Sequence, residues 1–185
     1  MTSEEKAGSG SGSLEVIAEG RHLRFVRRRG WEFVERKNVT GIAILVAITA
    51  EDRVIFVEQH REPVGRPVLE LPAGLAGDES AEEAEEAANR ELVEETGYRA
   101  GVLEILTEGP PSPGLSDEIV TFYLARRLVR AGAGGGVGEE AIDVHEVPFS
   151  EAFSWLEARR TEGRLVDPKV YGGLALAAHR MGRGL

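Results

Sequence analysis

The stretch Arg90-Glu91-Leu92-Val93-Glu94-Glu95-Thr96-Gly97 constrains this chain most, because it packs three carboxylates into five residues of an expected helix. At about 100° per residue, Glu91 and Glu95 lie one turn apart with Glu94 beside them, so all three share one helical face. Like charges at this spacing repel and cost a helix tenths of a kcal/mol per pair. A cation would relieve that repulsion, and hard divalent ions such as Mg²⁺ take carboxylate oxygens as ligands. The stretch therefore reads first as a metal site; the alternative is a solvated acidic helix face.

The rest of the pattern predicts strands around this helix. Leu14 to Asn38 alternates apolar and charged residues, with Gly20 and Gly30 as punctuation and Leu23, Phe25, Trp31 and Phe33 as its large apolar positions. It reads as short antiparallel strands. Gly41 to Ala50 and Val54 to Val57, joined by a turn at Glu51-Asp52-Arg53, predict a hairpin whose first strand is largely buried. Val68 to Leu71 is a further strand that Pro72-Ala73-Gly74 should end, and a loop leads from there into the acidic helix. Asp78 or Ser80 can cap that helix, Ala81, Ala84, Ala88 and Leu92 form its inward stripe, and Gly97 ends it.

Strands are expected at Val102 to Thr107, Ile119 to Ala125 and Ile142 to Val147. The Pro/Gly segment from Gly109 to Gly114 is a stiff loop, and Ala131 to Gly138 a mobile one. Ser150 to Arg160 predicts a helix packed through Phe153, Trp155 and Leu156. A last helix runs from Asp167 towards Arg180 with Pro168 in its first turn. These elements suggest an α+β sandwich of sheet and helices. Residues 1–13 read as a disordered tail, 14–40 as N-terminal strands suited to dimerisation, and 41–185 as the main domain.

Composition narrows the function. A formal charge of −10 lacks the basic excess of a nucleic-acid binder, although a few arginines or a metal ion can still hold a small phosphorylated molecule. No cysteine is present, which rules out thiol chemistry and fits a cytoplasmic location. The longest apolar run, Ile42 to Ile48, is far shorter than the roughly 18 residues of a membrane span, so no membrane partner is expected. His22, His60, His145 and His179 show no ligand spacing, so a histidine-based zinc site is not expected.

Arg90-Glu91, an apolar residue, Glu94-Glu95, Gly97 and Tyr98, with Glu82 eight positions before Arg90, resemble the Nudix box of the Nudix hydrolases. One spacing departs: Gly74 lies eight residues and Gly77 five residues before Glu82, where the family pattern has a glycine six before it. The likeness extends over Glu58 to Arg61, Glu70 to Leu75 and Ser112 to Glu118, which look like flanking motifs of the ADP-ribose and nucleoside-diphosphate-sugar branch. It implies a Nudix fold, a mixed β-sheet sandwiched between α-helices. It also implies hydrolysis of the pyrophosphate in ADP-ribose or a related nucleotide sugar, with Mg²⁺ as cofactor and Mn²⁺ able to substitute.

On that likeness Glu91 and Glu95 are the main metal ligands, Glu94 completes the set, the Ala73 carbonyl can add an oxygen, and Arg90 holds Glu94. The general base would come from Glu139 or Glu140, at the end of the glycine loop, with Glu118 as the competing choice. Arg61 would bind phosphate, its alternative being a surface ion pair with Glu62 or Glu58, and Trp31 would stack on the base or else belong to the core. The expected partner is a small nucleotide sugar, and the expected assembly a homodimer. Dinucleoside polyphosphates or damaged nucleoside triphosphates are the rival substrates, and a non-catalytic nucleotide-sugar regulator is the rival from another class.

Overall fold

A computed structural model of the protein describes residues 12–39, 41–76, 84–138 and 141–184. Three strands, β1 (Glu15–Glu19), β2 (Leu23–Arg28) and β3 (Trp31–Arg36), form an N-terminal antiparallel sheet. The main body holds β4 (Gly41–Ala47), β5 (Arg53–Arg61), β6 (Arg66–Glu70), β7 (Ala73–Ala76), β8 (Tyr98–Gly109), β9 (Val120–Arg130), β10 (Ile142–Pro148) and β11 (Leu165–Val166). Its helices are α1 (described from Ala84 to Thr96), α2 (Ala152–Thr161) and α3 (Pro168–Arg180). Two four-stranded sheets run in the orders β7-β4-β9-β8 and β10-β5-β6-β11. Each is mixed: β4 pairs parallel with β9, and β6 parallel with β11.

Strand β4 explains the layering. Its residues point alternately to two faces, and both faces are buried. Ile44, Val46 and Ile48 enter a core with Leu156 of α2 and Val170, Leu174 and Ala177 of α3. Ala43, Leu45 and Ala47 enter a second core with Ala88 and Leu92 of α1. A strand with helices on both faces needs a continuous apolar run, and that run is what the sequence shows. On α3, a Cβ at Gly173 would lie 2.6 Å from Leu71 Cδ1, so glycine lets this helix approach closely. Asp167 caps α3 by accepting from the Lys169 N–H at 2.8 Å, with Pro168 at the first helical position.

Several expectations change. The β4–β5 hairpin is only a corner: one antiparallel bridge joins Ile48 to Val54, after which the strands diverge into different sheets. Pro72 does not end the strand system, because Ala73–Ala76 returns as β7 along β4. The stripe of α1 is buried at Ala87, Ala88 and Leu92, while Ala84 is exposed; Ala81 and both proposed caps lie outside the described residues.

The glycine loop is not free at its start. Ala131 and Gly132 N–H groups donate to the Gly97 carbonyl, Gly135 N–H to Glu95 O at 2.8 Å and Gly136 N–H to Glu94 O at 3.0 Å. The segment thereby satisfies carbonyls that the end of α1 would leave unpaired. Close approach demands glycine here: at Gly134, with φ +73, a Cβ would lie 2.5 Å from the Thr96 carbonyl carbon. Gly134→Ala is expected to destabilise the fold by about 1–3 kcal/mol through backbone strain and displacement of the loop. A denaturant midpoint equal to that of the parent would refute this account.

Candidate active site

One cavity of about 540 Å³ opens where the start of β4, β7, the side of α1 and the 110–120 segment meet. Glu91, Glu94 and Glu95 line it from α1, with Arg90 among them. Arg61 and Glu70 enter from β5 and β6, Arg36 from the N-terminal sheet, Lys169 from the first turn of α3, and Glu118 and Val137 from the loops. Helical spacing anticipated the α1 group and the resemblance anticipated Arg61 and Glu118; neither pointed to Arg36, Glu70 or Lys169 as cavity residues. For Arg36 the alternation of charges along β3 carried no hint of which side would meet the main body.

Tertiary contacts decide how the carboxylates stand. Glu95 is only 7% exposed, and its Oε2 accepts from the Ala73 N–H at 3.1 Å. Burial pushes its pKa up to about 8; the Ala73 N–H opposes that rise, and the neighbouring Glu91 charge adds to it. Arg90 Nη1 reaches Glu91 Oε1 at 3.0 Å and Glu94 Oε2 at 3.4 Å, so one guanidinium serves two of the repelling charges. Among the described residues, no three acidic or histidine side chains converge as a closed metal cage.

The donor chemistry nonetheless fits a hard divalent cation. Three carboxylates face one cavity, and one is buried so deeply that it needs either a proton or a positive charge beside it. Gly74 keeps the space in front of them clear. A Cβ there would lie 1.8 Å from Glu91 Cγ, so any side chain at 74 would evict the Glu91 carboxylate. Ala73 contributes its N–H to Glu95 in this arrangement, a contact distinct from the carbonyl ligand suggested by the resemblance.

The cationic side chains of the cavity are already paired. Arg61 Nε donates to Glu70 Oε2 at 2.7 Å, not to Glu58 or Glu62, which turn to Arg164 and His60 respectively. Glu70 itself has a raised pKa, because burial outweighs the opposing Arg61 contact. Arg36 Nε donates to Glu118 Oε1 at 2.8 Å, and Lys169 pairs with Asp167. Trp31 is 70% exposed on β3 and does not line the cavity of the single chain; nor does it belong to the core. Glu139, Glu140 and Glu82 lie outside the described residues.

The raised Glu95 pKa has a definite sign in stability. Without metal, the folded chain retains a proton that the unfolded chain releases at ordinary carboxylate pH, so stability should fall from about pH 4.5 to about pH 8 and then level off. A cation that replaces the proton should stabilise more at the alkaline end. Melting curves with chelator and with Mg²⁺ are expected to show a larger Mg²⁺ shift at about pH 8 than at about pH 5, and Glu95→Gln should abolish the difference. A Mg²⁺ shift that persists unchanged in Glu95→Gln would remove Glu95 from the metal site.

Comparison with known proteins gives the family. The chain matches the NUDIX domain over residues 39–169. It is 40% identical over 120 residues to an ADP-ribose pyrophosphatase of Bacillus subtilis, a match covering 64% of each chain. With an ADP-sugar pyrophosphatase of Mus musculus it shares 35% identity over 190 residues, 89% of this chain and 85% of the other. With a GDP-mannose pyrophosphatase of Pectobacterium atrosepticum it shares 36% over 152 residues, 78% of this chain and 74% of the other. The match to the two Bacillus relatives, the second a methanol dehydrogenase activator of Bacillus methanolicus, spans just under two thirds of their length. The crystal structure of an ADP compounds hydrolase superposes with a TM-score of 0.73 at 21% identity, covering 98% of this chain and all of that one, and so shares its fold. The matched box, its position on α1 and the length of the alignment establish that the chain belongs to the Nudix family.

Proposed function

We propose that the protein hydrolyses the pyrophosphate bond of ADP-ribose or a related nucleoside diphosphate sugar, giving a nucleoside monophosphate and a sugar phosphate. The observation that carries this reading is the joining, in one cavity, of the α1 carboxylates with Arg36, Arg61 and Lys169. A pyrophosphate with polar groups at both ends needs a cation site in the middle and positive side chains around it. The names of the relatives, which span ADP-ribose, ADP-sugar and GDP-mannose pyrophosphatases, support a nucleotide-sugar substrate.

Glu91 and Glu95, with Glu94 and the Ala73 carbonyl, would hold Mg²⁺, or Mn²⁺ in its place. Bound there, the ion would neutralise phosphate oxygens and lower the pKa of the attacking water. Arg90 keeps Glu94 and Glu91 oriented across one helical turn. Arg61 grips phosphate by exchanging Glu70 for it, its planar fork suiting either partner. Arg36 does the same from the other wall.

That exchange bears on the general base. Glu118 is held by Arg36 and by the Ser116 hydroxyl, contacts that occupy its oxygens until substrate draws Arg36 away. Glu139 and Glu140 follow Val137, which lines the cavity, and Gly135 and Gly136, which are tied to the metal helix. We rank this pair ahead of Glu118 for proton removal.

A homodimer completes the reading. The N-terminal sheet exposes Leu23 and Phe25 on one face, an apolar surface that a second copy would cover, and Trp31 on the other. In such a dimer Trp31 could stack on the base held by the partner. With no cysteine and no helix among the described residues long and apolar enough to cross a membrane, we place the protein in the cytoplasm.

A substrate panel tests the reading. With Mg²⁺, ADP-ribose or GDP-mannose should yield a nucleoside monophosphate and a sugar phosphate, and Glu95→Gln should lower kcat by orders of magnitude with the fold intact. Release of pyrophosphate from nucleoside triphosphates as the dominant reaction would sink it. Replacing Glu139 and Glu140 together by Gln should cost about 10²–10⁴-fold in kcat, more than Glu118→Gln; the reverse order would assign the base to Glu118. Light scattering should give twice the chain mass, and Leu23→Glu with Phe25→Glu should halve it; a monomeric parent protein would reject the dimer.

A further inference from the structure

A second cavity, of about 750 Å³, lies at the opposite end of β4 and β9 from the acidic one. The β4–β5 corner, the middle of the β8–β9 ribbon and the C-terminal end of α3 enclose it. Arg126, Arg127, Arg180 and Arg183 all line it, four of the 22 basic residues in a chain that is acidic overall. Two carboxylates answer them. Glu104 bridges Arg126 and Arg180, and Asp52 accepts from Arg183 at 2.6 Å, which leaves a formal surplus of two positive charges.

Arg127 carries part of that surplus without an ion pair or hydrogen bond among the described residues. It also adopts a left-handed backbone, φ 55, which a non-glycine residue tolerates only at a cost, and such strain concentrates at ligand sites. The end of α3 would by itself oppose an anion. Here its carbonyls are engaged, since Met181, Gly182 and Arg183 donate their N–H groups to Ala177, His179 and Ala178. Arg183 lies over the Phe149 ring, 5.4 Å from its centroid, which holds its guanidinium at the rim.

We propose that this cavity is a second anion site that takes a phosphate group, either free or as a monoester. A phosphate group at neutral pH carries about 1.5 to 2 negative charges, which suits the surplus, and planar guanidinium groups bind it in pairs. The site is independent of the acidic cavity and does not rest on the proposed reaction.

Calorimetric titration of the full chain with inorganic phosphate and with ribose 5-phosphate tests it. Both should saturate; stronger binding of one over the other identifies which source the site serves. Arg127→Gly removes the guanidinium and the strain together, so it should melt no lower than the parent protein while losing about tenfold in phosphate affinity. Arg126→Ala with Arg127→Ala should lose more, and the same loss should appear in a chain that also carries Arg61→Ala, so that phosphate held in the acidic cavity is not counted. No saturable binding, equal binding in Arg127→Gly, or loss only in Arg61→Ala would overturn the proposal.

Discussion

Mutual repulsion among Glu91, Glu94 and Glu95 is the constraint on which the rest of this structure depends. Two contacts answer it, and a third feature fixes the end of the helix that carries them. Arg90 spans two of the charges from within the same helix, and Ala73 offers its N–H to the third. Gly135 and Gly136 tie the carbonyls of Glu95 and Glu94 to the loop that follows β9. Of the three carboxylates Glu95 is the most demanding, because burial strengthens every charge beside it and removes the water that would otherwise solvate it. A site built in this way is held in tension, which the proposed cation would relieve.

Strand β4 carries the acid helix to the place where this tension can be used. Ala43, Leu45 and Ala47 accept α1 on one face and Ile44 and Val46 accept α2 and α3 on the other, so one strand sets the distance between the carboxylates and the start of α3. That is how Lys169 comes to line the cavity, although it lies 74 positions beyond Glu95. The N-terminal sheet reaches the cavity by a different route. Val34 N–H donates to the Leu115 carbonyl at 2.8 Å, and this join places Arg36 against Glu118.

Much of the site was legible because helical spacing is a local property. Arg90, Glu91, Glu94 and Glu95 share a face whatever surrounds them, and Gly97 ends their helix at φ 76 as a left-handed C-terminal residue does. The start of α3 at Asp167-Pro168 and the buried β4 run were legible for the same reason. The β4–β5 corner misled, since a turn between two apolar runs does not say whether they stay paired. So did the glycines after β9: a Gly-rich segment reads as mobile, yet these glycines allow backbone to touch backbone at the end of α1.

Sequence alone determined the family, the acidic helix and its likeness to a pyrophosphate-cleaving site, because those rest on residue types at fixed short spacing. Only the tertiary structure decided the burial that raises the Glu95 pKa, the pairing of Arg61 with Glu70 and of Arg36 with Glu118, and the need for Gly74 beside Glu91. Each of these depends on burial or on contact between residues far apart in the chain. Desolvation and close approach are set by what packs against a side chain, and no local pattern encodes that.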